Sequence, residues 1–259
     1  MTSLLDDAAL RVACDGLSIA DAVAEIHAFA DTWSVDAGRQ LAGEGQQVAC
    51  PGCRLGHCCE QPVLVSFAEA LVIARRLVRE GRATRAFRRE LRRAGEKHER
   101  SLLRGTESDA RNRCPFIDQR NLCTIYSDRP MNCRTYLVFD GRENCRPYRD
   151  RTDGARPFVA AVNNQGPVSV AIHVSLTTAE GLGWPFAIYM RALPLQVATW
   201  LEAAAGPPEE MWERVRAAST MEPSDLRRIA HNQQGSAFTA SLRDAPLLAR
   251  AVAEGVEVP

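Results

Sequence analysis

Apolar positions recur at helical spacing through three stretches of the chain and then lose all period. Between Ser18 and Gly43, the residues Ile19, Val23, Ile26, Phe29 and Ala30 fall on one side of a helix. Ser18 and Asp21 are placed to cap its start, and Gly43-Glu44-Gly45 to stop it. Ser66-Phe67-Ala68-Glu69 then reads as a capping box, in which the hydroxyl takes an orphan N–H and the glutamate reaches back. The helix it opens carries Phe67, Leu71, Ala74 and Val78 on one stripe and runs to Gly81. A further helix over about 82–103 spaces Ala83, Phe87, Leu91, Ala94, His98 and Leu102 three or four apart. The short link between these two predicts a helical hairpin.

From about 105 to 157 the period disappears. Only short apolar pieces remain, such as Thr124-Ile125-Tyr126 and Tyr136-Leu137-Val138-Phe139. An irregular stretch of roughly 50 residues is unusual in a compact domain and becomes reasonable where metal bonds replace a conventional core. Farther on, Phe158 to Val162, the polar run Asn163-Asn164-Gln165-Gly166, and alternating Val168, Val170, Ile172 and Val174 predict a β-hairpin. Trp184-Pro185-Phe186 with Tyr189 reads as an aromatic cluster closing the core. Several helices follow, one from Pro207-Pro208-Glu209-Glu210 and one from Pro223-Ser224-Asp225. The expected fold is α+β and mostly α: a cysteine-rich metal-binding core around a helical hairpin, with a small C-terminal β-hairpin plus helices. Three parts are expected: an N-terminal helical segment (1–45), a cysteine-cluster domain (46–150) and a C-terminal module (151–259).

Composition narrows the classes. Hydrophobic residues make up 46% and charged residues 25%, so a packed core is affordable and disorder is not expected. A formal net charge of zero gives no whole-chain attraction to nucleic acid or anionic lipid. A local one could arise over 75–104, where twelve basic residues face four glutamates. The same segment has a clean apolar stripe and no aromatics interleaved to stack on bases, so it reads as a solvated helix face. No nucleic-acid partner is expected. Met1-Thr2-Ser3-Leu4-Leu5-Asp6-Asp7 lacks the basic and apolar regions of a signal peptide, and no run of about 18 apolar residues is present. The expected location is therefore cytoplasmic, without a membrane span, where thiols stay reduced.

That expectation governs the nine cysteines. Cys14 stands alone and reads as a buried thiol. The other eight form two groups. The first is Cys50, Cys53, Cys58 and Cys59, in the pattern C-x2-C-x4-C-C within a glycine-rich loop. The second is Cys114, Cys123, Cys133 and Cys145. A C-x2-C turn lets two thiolates converge on one ion, and Gly52 and Gly56 relax the backbone around them. Soft thiolates select zinc, copper(I) or iron–sulfur clusters over calcium and magnesium. One zinc or one cubane cluster needs four ligands, so eight cysteines allow two sites, or one site with thiols to spare. The spacing leaves the partition open. His57 could add a ligand or donate to a sulfur, but reads by default as a loop histidine. The remaining histidines, His27 and His98 among them, read as ordinary core or surface residues. Arg54, Arg113, Arg120, Arg129, Arg134 and Arg146 crowd the cysteines, and a four-thiolate site is negative enough to welcome guanidinium donors, Arg134 foremost. With 31 arginines to one lysine, arginine abundance alone carries no weight.

Cys114-Pro115-Phe116-Ile117-Asp118, Cys123-Thr124-Ile125-Tyr126, Arg129-Pro130 and Cys133-Arg134 resemble the second half of a bacterial cysteine-cluster family, the YkgJ-like zinc- or iron-chelating domain. Cys58-Cys59, Pro62-Val63 and the capped helix after them resemble its first half. The likeness covers roughly 46–150 and implies a metal-binding domain, with zinc against iron left open. One departure is the four residues between Cys53 and Cys58, where that family commonly has two. Better-understood relatives of the family include flagellin lysine methylases, which are similar only through the cysteine domain; no adenosylmethionine signature is present here.

Two functions follow as expectations. In one, the cysteines carry an iron–sulfur centre (a 4Fe–4S cluster) for redox or modification chemistry on an unknown substrate or protein partner. In the other, they carry zinc in a structural accessory module without catalysis. Whether the chain is an enzyme is left open by the sequence. If metal bonds are the fold here, replacing Cys59 or Cys133 by serine unfolds the domain outright.

Overall fold

A computed structural model describes residues 19–45, 57–60, 62–104, 113–135, 191–207 and 210–219. Its elements in chain order are α1 (Ile19–Gly43), β1 (Leu64–Val65), α2 (Phe67–Arg79), α3 (Arg85–Arg104), the one-turn α4 (Met131–Arg134), β2 (Arg191–Ala192), α5 (Leu193–Ala203) and α6 (Met211–Ser219). Two 3-10 turns, His57–Glu60 and Tyr126–Asp128, punctuate the cysteine segments. The described part is therefore mostly helical with one small antiparallel sheet. None of its helices is long and apolar enough to cross a membrane.

The helical hairpin forms as its sequence dictates. Ser66 Oγ accepts the Glu69 amide at 3.2 Å while the Glu69 side chain accepts the Ser66 amide, completing the reciprocal cap at the start of α2. At the other end Gly81 adopts φ 68°, which lets the Arg82 amide donate to Leu77 O at 2.8 Å and the Gly81 amide to Val78 O at 3.0 Å. That pair of bonds satisfies carbonyls the helix would otherwise orphan, and turns the chain into α3.

The packing depends most on α5. Every residue from Leu193 to Leu201 is buried, polar Gln196 and Thr199 included. It lies across both α2 and α3. The approach to α3 is closest at Gly95, where a Cβ would meet the backbone of Leu195. Trp200 stacks on Phe67 with ring centroids 6.4 Å apart, and its Nε1–H donates to the Phe67 carbonyl at 2.8 Å. The core so formed is apolar: Phe67, Leu71, Ile73, Leu77, Leu91 and Trp200 are fully buried in it. Val23 of α1 and Met211 and Val215 of α6 join the same cluster.

Ion pairs lock the rim. Arg92 grips both carboxylate oxygens of Glu202, and Arg191 grips Glu99 at 2.6 and 2.7 Å, fastening α3 to α5 and β2. β2 itself pairs antiparallel with β1 in the register Leu64↔Ala192 and Val65↔Arg191, and Leu193 N–H extends the ladder to Val63 O at 2.8 Å. This sheet was not expected. The expected C-terminal β-hairpin over 158–174, the aromatic cluster at 184–189, the helix from Pro223 and Cys14 all lie outside the described residues.

One expectation is corrected. The middle of the chain was to be held by metal in place of side-chain packing, yet its helices share an ordinary apolar core with α5. The irregular segment after Arg113 is anchored in that core as well, through Phe116 and Ile125, which are 0% and 1% exposed.

Candidate metal centre

The second cysteine group begins as a small knuckle. Ile117 and Cys123 form an antiparallel bridge, and Thr124 N–H donates to Phe116 O at 2.8 Å. Asp118 shapes the tip: its Oδ1 accepts the amides of Arg120 at 2.8 Å and Leu122 at 2.9 Å. Asn121 takes φ 60°, a left-handed conformation that asparagine tolerates well. Arg113 closes the loop with bonds to Asp118 O and Asn121 Oδ1. The aspartate and asparagine between the two cysteines thus make the turn, while the knuckle's core residues Phe116 and Ile125 pin it. Cys114 and Cys123, both half-buried, pack against the margin of the apolar core.

Each remaining described cysteine is joined to this knuckle or to the helix below it. Cys59 lies in the turn His57–Glu60, and its carbonyl accepts the Cys114 amide at 2.7 Å. That bond brings Cys59 of the first group beside Cys114 of the second. Cys133 sits in α4, which follows Pro130, and Asn132 Nδ2–H ties this turn to Leu64 O at 2.7 Å. The 3-10 turn Tyr126–Asp128 leading to it is held to α2 by Arg76, which donates to Asp128 at 2.7 Å. Arg82, in the link between α2 and α3, reaches Thr124 at 2.7 Å.

Of the eight candidate ligands, Cys59, Cys114, Cys123 and Cys133 have described side chains, and all four are half-buried thiols. Cys58 has a described backbone only; Cys50, Cys53 and Cys145 lie outside the described residues, as does the side chain of His57. Among the described residues no three His, Cys, Asp or Glu side chains converge on one point. The donor chemistry nevertheless fits a soft metal: four thiols arrive from both groups, and the Asp118 carboxylate between two of them is taken up by the knuckle's own amides.

Arg54 and Arg146 lie outside the described residues, and Arg113, Arg129 and Arg134 have partners of their own. Arg129 lies over the Tyr126 ring at 4.3 Å, and Arg113 is spent on the knuckle. Arg134 donates to Arg129 O at 2.8 Å, to Asp31 Oδ2 at 2.6 Å and to Ser127 O, and its Nη2 lies 3.4 Å from His27 Nδ1. Instead of serving a sulfur, its guanidinium is a brace between α1 and the cysteine segment. His27 and Glu69 complete that buried network at 3.3 Å. The sequence showed Glu69 as a cap and His27 as ordinary core; nothing local linked residues so far apart.

A thiol-rich knuckle and turn on a helical hairpin define a chelating domain. Residues 49–169 match the family model CxxCxxCC, described as "Putative zinc- or iron-chelating domain", which is the cysteine-cluster family these segments resemble. Its description supports metal binding, with zinc and iron both named. No curated protein and no solved structure matches the chain.

Proposed function

We propose that this is a metal-binding protein whose centre is built by Cys50, Cys53, Cys58, Cys59, Cys114, Cys123, Cys133 and Cys145, and that the metal is iron in an iron–sulfur cluster. The observation that carries the reading is the bond from the Cys114 amide to the Cys59 carbonyl at 2.7 Å, which makes neighbours of two cysteine groups far apart in sequence. Thiols from both groups are then available to one centre. Eight cysteines exceed the four that one zinc or one cluster takes, and iron is favoured because the reducing compartment expected from the sequence protects a cluster. A bound cluster of this kind supplies one-electron redox chemistry, and a reducing compartment would keep its thiolate ligands available. The chain's own part is to hold the thiolates half-buried against an apolar wall, where water has limited access.

Anaerobic purification followed by metal and sulfide analysis and a visible spectrum tests the reading. Brown protein with iron and acid-labile sulfide in equal amounts is expected. A colourless protein with stoichiometric zinc would end the cluster reading and leave a structural zinc module in its place. Protein that takes up neither metal would end both.

A further inference from the structure

Capping α2 occupies only one oxygen of Glu69. Oε2 takes the Ser66 amide at 3.2 Å and the Ser66 hydroxyl at 2.8 Å. Oε1 points away from its own helix, accepting the Met131 amide at 2.7 Å and facing His27 Nε2 at 3.3 Å. A capping glutamate needs no burial, yet Glu69 is 1% exposed. Burying a carboxylate costs several kcal/mol unless it is paired and hydrogen-bonded, so its placement calls for a purpose beyond the cap.

Met131 opens the single turn that carries Cys133. A helical turn this short makes too few internal bonds to define itself, because nucleation fixes several dihedrals for each bond gained. Its geometry must be imposed from outside. Glu69 fixes the residue two before Cys133, and Arg134, the residue after it, is fixed by Asp31, His27 and the carbonyls of Ser127 and Arg129. Ser34 Oγ–H donates to Arg134 O at 2.8 Å. His27 bridges the two sides, one ring nitrogen toward Glu69 and the other toward Arg134.

We propose that Glu69, braced by His27, is a positioning residue for Cys133: its carboxylate sets the turn that presents this thiol, and couples the turn to α1. The role of Cys133 as a ligand rests on the reading above. The coupling itself does not.

The test compares wild-type, E69Q and H27Q full-length proteins, first without metal. Alkylation of each cysteine is followed by mass spectrometry under native conditions. In E69Q the Cys133 thiol should react about tenfold faster, as loss of a charge-assisted bond lets the turn open more often, while Cys114 and Cys123 change less than about twofold. H27Q, which leaves the cap of α2 intact, should shift Cys133 in the same direction, and it decides the matter if E69Q fails to fold. Unchanged Cys133 reactivity in a folded variant, or a rise shared equally by all four described thiols, would overturn the proposal. Cobalt(II) loading gives the second readout: the thiolate-to-cobalt absorbance should fall in E69Q by about one thiolate's share. A cobalt band unchanged in E69Q would also count against it. Wild-type protein that takes up no cobalt sinks the metal reading, and the alkylation pattern alone then decides the coupling.

Discussion

The Cys114 amide donates to the Cys59 carbonyl at 2.7 Å, and Cys114 packs against the apolar core. A backbone bond of this kind persists whether or not a metal is bound, because its neighbours Phe116 and Ile125 are buried independently of any sulfur. The described cysteine segments are therefore attached to the fold by packing.

This changes what ligand loss should do. Cys59→Ser and Cys133→Ser are expected to lower metal content severely while α2, α3 and α5 keep their helical signal. Far-UV circular dichroism should fall by no more than the short turns contribute, and amide exchange should quicken over 113–135 before it does so in α2. Global unfolding of either variant on metal loss would return the fold to the metal-dependent kind.

Trp200 tests the core directly. It is fully buried, stacks on Phe67 and satisfies the Phe67 carbonyl. Trp200→Ala should cost about 3–5 kcal/mol, the range for truncating a large buried aromatic. Trp200→Phe keeps most of the volume but loses the bond from the indole to that carbonyl, at about 0.5–1.5 kcal/mol. Urea denaturation should rank the two in that order; equal midpoints would mean the α2–α5 contact contributes little.

How far the sequence could be read follows from the range of each signal. The box at Ser66 and Glu69 and the stop at Gly81 are local, and α2 lies where its pattern placed it. α5 gave no such pattern: it is buried on all sides, so its apolar residues show no stripe to separate it from a strand or a buried loop. β1 and β2 are two residues each and pair across about half of the chain, beyond reach of any hairpin signal. At the site, Cys59, Cys114, Cys123 and Cys133 were legible as thiols in order. The Glu69–His27–Arg134 network was not, because it draws one side chain from each of three separate segments.

Gly95 separates intrinsic propensity from packing. In an exposed helix interior Gly→Ala stabilises by about 0.5–1 kcal/mol. Here the new methyl would lie against Leu195, its Cα only 2.5 Å away, so α3 and α5 must part. Gly95→Ala should destabilise by about 1–3 kcal/mol, an overpacking cost that reverses the sign of the propensity gain. Thermal denaturation decides it, and a raised midpoint would show that the α3–α5 crossing is looser than the structure has it.

The acid limb of stability should report on Glu69. Burial pushes its carboxyl upward. The hydrogen bond and charge of His27, the Met131 amide and the Ser66 hydroxyl outweigh that and hold it below the ordinary carboxylate value. A depressed folded value means that the unfolded chain binds the proton more readily, so stability rises with pH across this interval. The contribution is complete above the ordinary glutamate value of about 4.3 and drains away as pH falls from there through the lower folded value. Glu69→Gln lacks this titration and should be less stable than wild type by about 1–3 kcal/mol at neutral pH. Urea melts at stepped pH should then show the gap between the two chains constant above about pH 5.5 and narrowing below about pH 4.3. A gap that stays level down to pH 3 would mean that Glu69 titrates alike in the folded and unfolded chains, and one that widens as pH falls would mean that it folds already protonated, with the Met131 turn held by a neutral acceptor.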